Sequence, residues 1–186
     1  MARPVGYDLL QLPMTPEQII SRLTDRFPDA LQAAYPEDKH PRIDLDAARW
    51  REIAAFLRHD PELAFDWLAN LSGVDYAADD RLCVVYDLWS FDHRHQFAVK
   101  VFCDRSEPRI ASVADLWPAA NWHEREAFDL FGIDFPGHPD LRRILLPEDW
   151  EGHPLRKDYV FPREYHGIPG TVEPAKPPSK APSPSE

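Results

Sequence analysis

Apolar residues recur at helical spacing through the first third of the chain, switch to strict alternation, and then return to helical spacing. Ile19, Ile20, Leu23 and Phe27 form the first stripe, preceded by Thr15, Pro16 and Gln18. That triplet has the spacing of a capping box with proline in the first turn, so a helix is predicted over residues 15–27, ended by Pro28. Residues 28–41 are polar and loop-like, with a turn near 30–35, and residues 42–45 read as a short strand. Asp46 is placed to cap a second helix running to about residue 59, with Trp50, Ile53, Ala54 and Leu57 on its apolar face. A shorter third helix is predicted from Pro61, carrying Leu63, Ala64, Trp67, Leu68 and Leu71 and stopped by Gly73. All these stripes read as core faces.

The period then changes to two. Leu82, Val84, Tyr86 and Leu88 alternate with Cys83, Val85, Asp87 and Trp89; after a polar turn at 90–94, Phe97, Val99 and Val101 share one face of a second strand. Residues 109–113 read as a further strand. The order of elements predicts an α+β domain in which helices pack on a small mixed or antiparallel sheet.

A last helix is predicted over residues 115–132, with Asp115 as cap and Gly132 just past its end. At 100° per residue, Trp117, Ala120, Ala127, Phe128 and Phe131 cluster around Glu124, which puts a carboxylate in the middle of the apolar face. A carboxylate there needs a partner. It is either a general acid or base with a raised pKa, or a structural group satisfied by an arginine or by backbone N–H groups. Trp122, Arg125, Glu126 and Asp129 lie opposite, with Arg125 and Asp129 at ion-pair spacing. An aromatic among hydrogen-bonding groups is the residue mix of an interface.

Beyond Gly132 the chain is apolar but has no sustained period. Leu141, Ile144, Leu145, Leu146, Trp150, Leu155 and Tyr159 are interleaved with Pro136, Pro139, Pro147 and Pro154 and with Arg142, Arg143, Arg156 and Lys157. Such a segment is too apolar for a free linker. It reads as an extended arm laid over a partner, the alternative being a loop folded back on its own domain. The predicted organisation is an N-terminal extension at 1–14, the α+β domain at 15–132, the arm at 133–162 and a Pro-rich disordered tail at 163–186.

Composition narrows the function classes. The 186 residues are 44% hydrophobic and 12% aromatic, enough for one domain with a core, and the net charge of −11 argues against nucleic-acid or anionic-membrane partners. Two cysteines, Cys83 and Cys103, are too few for a disulfide framework or a four-thiolate cluster within the chain, which fits a reducing compartment. Together with His93 and His95 they invite a zinc hypothesis, but the spacing is not that of a zinc motif. The amino-terminal residues carry no secretory or transit signal, and no apolar run is long enough to span a bilayer. There is no glycine-rich phosphate loop, dinucleotide fingerprint or nucleophile elbow. His123–Glu–Arg–Glu has Ala127 where a zincin helix needs its second histidine. No self-sufficient active site is evident: no catalytic, cofactor or metal residue is assigned.

The run Glu124-Arg125-Glu126, Asp129-Leu130-Phe131, His138, Arg142 and Ile144-Leu145 resembles the signature of the C-type subunit family of respiratory complex I. That family is the bacterial counterpart of the mitochondrial thirty-kilodalton subunit of NADH–quinone oxidoreductase. GHPDLRRILLPEDWEGHPLRKDY is similar to the family's C-terminal segment and DPELAFDWLANLSGVDY to its N-terminal domain, so the likeness covers residues 46–159. The resemblance implies a non-catalytic structural subunit of the hydrophilic arm of a proton-pumping enzyme, on the cytoplasmic face of the bacterial plasma membrane. FMN, Fe–S clusters and quinone are then expected in partner chains and none in this one. The chief partner is expected to be the quinone-site D-type subunit, with membrane contact only through the complex. The signature and interface residues it implies are Trp122, Glu124, Arg125, Glu126, Asp129, His138, Leu141, Arg142, Arg143, Trp150, His153, Arg156, Lys157, Asp158 and Tyr159. Two alternatives stay open: the equivalent subunit of a membrane-bound hydrogenase or other quinone-linked dehydrogenase, and a stand-alone acid/base or metal enzyme using His123, Glu124, Glu126 and His138.

Overall fold

The structure, a computed structural model, describes residues 13–170; the expected extension before residue 13 and the tail beyond residue 170 lie outside the described residues. Helix α1 (Pro16–Arg26) begins with the predicted reciprocal cap: Gln18 N–H donates to Thr15 Oγ1, and the Thr15 N–H donates to the Gln18 side chain. Strands β1 (Leu31–Tyr35) and β2 (Arg42–Asp46) form an antiparallel pair. Asp46 ends β2 and caps α2 (Ala47–His59), its Oδ1 accepting from Ala48 N–H at 2.9 Å. Then follow β3 (Trp67–Tyr76), β4 (Arg81–Ser90), β5 (His95–Asp104) and α3 (Ala120–Phe131). The five strands are ordered β1-β2-β5-β4-β3, and β2 with β5 is the one parallel pair. Both α2 and α3 lie on one face, against Leu82, Val84, Tyr86 and Leu88 of β4 and Phe97, Val99 and Val101 of β5. No helix among the described residues is long and apolar enough to cross a membrane.

Three elements differ from the sequence expectation. The helix expected from Pro61 is a turn followed by β3. The Asp60 carboxylate, held by Arg22, accepts from the Glu62 and Leu63 N–H groups, and Ala64 takes a left-handed φ of 40° that ends any helical run. His93 and His95 bond the carbonyls of Pro61 and Leu63 at 2.8 and 2.7 Å, tying the turn to the β4–β5 hairpin. The strand β1 occupies the stretch expected to be loop. Residues 109–113 form no strand: Arg109 makes a single parallel bridge to Asp134, while Ile110 and Val113 both turn into the core.

Helix α3 also starts five residues late. Asp115 pairs with Arg51 instead of capping, and buried Trp117 donates its indole N–H to Phe65 O at 2.8 Å, anchoring the approach segment. Its end is as predicted, with Gly132 at φ 73°. Cys83 and Cys103 are neighbours across the β4–β5 ladder, but the register pairs Leu82 with Cys103, so the two buried free thiols project from opposite sheet faces.

Candidate subunit interface

Helix α3 buries carboxylates on both of its sides. Glu124, on the face toward the sheet, is 0% exposed. Its Oε1 accepts from Val113 N–H at 2.7 Å and its Oε2 bonds the Ser112 hydroxyl at 2.6 Å, while Ser112 Oγ accepts from Ala114 N–H. The irregular 110–117 segment is therefore latched to α3 through one side chain. A backbone N–H and a hydroxyl satisfy the carboxylate, close to one of the two sequence readings, and among the described residues no arginine pairs with it. Burial pushes its pKa up to about 7, against the lowering effect of its two hydrogen bonds. Nearby, the buried Trp50 and Tyr86 rings lie 4.2 Å apart, and among the described residues neither Trp50 Nε1 nor Tyr86 Oη reaches a hydrogen-bond partner of good geometry.

Asp129 is also 0% exposed, yet it lives in the opposite environment. Its Oδ2 accepts from the Ile144, Leu145 and Leu146 N–H groups at 3.0, 2.8 and 2.9 Å, and Arg143 donates to Oδ1 at 2.9 Å. Burial alone would raise its pKa, but these donors outweigh it and hold the carboxyl below its ordinary value. Arg125 completes the grip by donating to the Arg142 and Arg143 carbonyls. Arg125 and Asp129 thus do not pair with each other, as their spacing suggests, because each binds a complementary set of groups on the arm.

The arm is fastened at further points. His138 Nε2 bonds Asn121 O at 3.0 Å and its Nδ1 accepts from Asp140 N–H; Leu141 packs on the core. His153 Nδ1 bonds Asp129 O at 2.9 Å, with its ring over Gly132, and Arg156 donates to Phe131 O at 2.7 Å. Farther on, Lys157 N–H donates to Asp75, whose carboxylate is also clamped by Arg105, and Asp158 pairs with the same arginine. Tyr159 closes a small loop by donating to Glu151 O, and half-buried Trp150 stacks on Tyr165 at 5.1 Å. Residues 164–169, expected to begin the tail, form a two-stranded hairpin. Residues 138–159 therefore lie on their own domain, the geometry of the alternative reading of this segment.

What the arm leaves outward is equally specific. Trp122 is 62% exposed, with the Arg125 guanidinium 5.2 Å from its ring, and Leu145 is 61% exposed. Arg142 projects outward beside Asp140, and Glu126 is exposed. The predicted site residues thus divide into fasteners (Arg125, Asp129, His138, Arg143, His153, Arg156 and Asp158) and an outward set around Trp122. Sequence reasoning missed Ser112, Asp75 and Arg105. Asp75 lies near the end of the family-like N-terminal segment, but nothing in its spacing announces a partner 82 residues away.

The model of the respiratory-chain NADH dehydrogenase 30 kDa subunit family matches residues 43–165, which span the sheet from β2 to β5, α3 and the fastened arm. The chain belongs to that family. Among curated relatives of this 30 kDa family, the C subunit of NADH-quinone oxidoreductase from Chlorobium phaeobacteroides is 51% identical over 77% of this chain and 88% of its own length. That of Chloroherpeton thalassium is 58% identical over 64% of this chain, which spans only half of the longer relative. Among solved structures, the trypsin-resistant fragment of Nqo5 is 31% identical with a TM-score of 0.57, covering 69% of this chain and all of the fragment. A chain of the membrane-bound sulfane sulfur reductase, an archaeal respiratory membrane complex, is 25% identical with a TM-score of 0.64, covering 79% of this chain and 86% of its own.

Proposed function

We propose that the chain is a non-catalytic structural subunit of the hydrophilic arm of a proton-pumping NADH–quinone oxidoreductase. In this reading electrons pass from NADH through FMN and Fe–S centres to quinone in other chains, and this chain braces them. It sits at the cytoplasmic face of the plasma membrane, held there only through the complex, with the quinone-site D-type subunit as its chief partner. Family membership supports the reading, and one local observation carries it. Arg125 and Asp129, the buried charged groups on the outer side of α3, are satisfied by the chain's own arm, which leaves the exposed Trp122, Arg142 and Leu145 to meet a neighbour. A large aromatic stacked on a preorganised arginine is the usual anchor of a protein interface.

The likeness to the sulfane sulfur reductase chain favours a second reading, the equivalent subunit of a related respiratory membrane complex. Purifying the full-length tagged chain from its own host, with mass-spectrometric identification of co-purifying subunits, separates the two. FMN-bearing and D-type chains support the first reading, and recovery of the chain alone would overturn both. In the same preparation Trp122→Ala should weaken association by about 2 kcal/mol, some thirtyfold, without unfolding the chain. Unchanged recovery would remove Trp122 from the interface.

A further inference from the structure

The two edges of the sheet are defended very differently. β1, at one edge, has five residues, a register shift between Leu31 and Ala33, and Arg42 over its Tyr35 ring at 4.2 Å. β3, at the other edge, has ten residues, and from Trp67 to Val74 (WLANLSGV) it carries neither charge nor proline. Free edges normally carry lysine, proline or distortion, because unpaired ladder groups recruit other strands. β3 has one register shift, between Leu68 and Asn70, and runs regularly from Asn70 to Tyr76. Among the described residues, no backbone group outside β4 pairs with the backbone of that run.

The space beside this edge is shaped. A groove of about 250 Å³ runs between β3 and α3, lined by Leu71, Gly73, His123, Glu126, Phe131 and Leu155. Gly73 lets α3 approach β3 closely at the floor of this groove: a Cβ there would lie 2.5 Å from the Phe131 ring. The arm closes the groove at one end through Leu155 and the Lys157–Asp75 bond. At the start of β3, on the other sheet face, Trp67 and Phe91 stand exposed with ring centroids 5.9 Å apart. Of the three carboxylates and one arginine on α3, Glu124, Arg125 and Asp129 are committed to intrachain bonds; Glu126, among the described residues, has no ion-pair partner. It is also the anionic group that faces the groove.

We propose that β3 accepts an extended segment of a partner chain as a sixth strand, with a lysine or arginine of that segment opposite Glu126. Main-chain bonds to the free ladder would supply affinity, and alternate side chains would supply selectivity. One face of the segment would meet the groove, and the other would lie beside Trp67, where an apolar or aromatic residue fits. The chain's own tail is a poor occupant, since residues 171–186 contain five prolines that cannot donate to a ladder. The proposal rests on the assembly reading above and adds to it a second, main-chain contact away from Trp122.

Hydrogen–deuterium exchange at single-residue resolution, on the full chain alone and in the purified complex, tests this. In the free chain, amides between Asn70 and Val74 should alternate between slow, bonded to β4, and fast, facing outward. In the complex the fast set should slow at least a hundredfold, and Glu126→Lys should restore fast exchange there while Trp122 stays protected. Co-purification with the fast set unchanged would overturn this proposal and leave the assembly reading standing; failure to co-purify would remove both. Protection already present in the isolated chain would also overturn it, by assigning the edge to a second copy or to the chain's own segment.

Discussion

Glu124 and Asp129 are five residues apart on one helix and equally hidden from solvent, yet they sit in opposite electrostatic worlds. Glu124 has two donors and no cation, and burial drives it toward the neutral form. Asp129 has three backbone N–H groups and a guanidinium, and these hold it ionised. Two donors do not offset the desolvation of a carboxylate, whereas four, one of them charged, do. The sheet side of α3 is therefore a near-neutral latch on the 110–117 segment, and the arm side is a charged clasp.

The clasp should break hardest. Asp129→Ala strands Arg143 and three backbone donors at once and should lower the unfolding free energy by about 3 kcal/mol. The urea midpoint would report that loss, and trypsin should then cut readily at Arg142 and Arg143. A full loss of stability with both arginines still resistant would mean that other contacts hold the arm. A smaller effect is expected at the hinge between the two devices. Gly132→Ala forces alanine to φ 73° and drives its Cβ into the His153 ring, at a cost of about 2 kcal/mol. The damage should be confined to residues 150–158, so exchange near Ser112 and Val113 should stay as in the parent.

How far this was legible depended on how local each signal is. α1, α2 and the β4–β5 hairpin announce themselves, because their caps and periods are short-range. β3 does not: Ala64, Trp67, Leu68 and Leu71 fall at helical spacing, and the shift at Leu68/Asn70 breaks the alternation a strand would show. β1 has too few buried positions to alternate at all. The two-sided character of α3 was readable from its wheel, including the burial of Glu124. The partners were not. Arg125 and Asp129 are correctly spaced for each other, and only the fold shows that residues 142–146 bring carbonyls to one and N–H groups to the other. Aromatic and charged residues of the arm likewise look the same in a sequence whether they fasten the arm to its own domain or to a neighbour.

The contrast between the two carboxylates has opposite consequences for pH. Asp129, with its pKa lowered from 3.8, contributes stability that is present above that value and lost as the solution becomes more acidic. Glu124, raised from 4.5 to about 7, contributes stability that is fully present below 4.5 and lost as pH rises through 7, about 3 kcal/mol in all. Glutamine at 124 keeps an acceptor for the Val113 N–H and turns an amide N–H toward Ser112 Oγ, but it cannot ionise. The most direct measurement is therefore the unfolding free energy of the parent and Glu124→Gln chains from about pH 4 to about pH 9. The two should be nearly equal at the acid end, and the variant should be the more stable at the alkaline end. Parallel profiles across that range would show that Glu124 is not held near neutrality, and the division of α3 into a neutral and a charged side would fall.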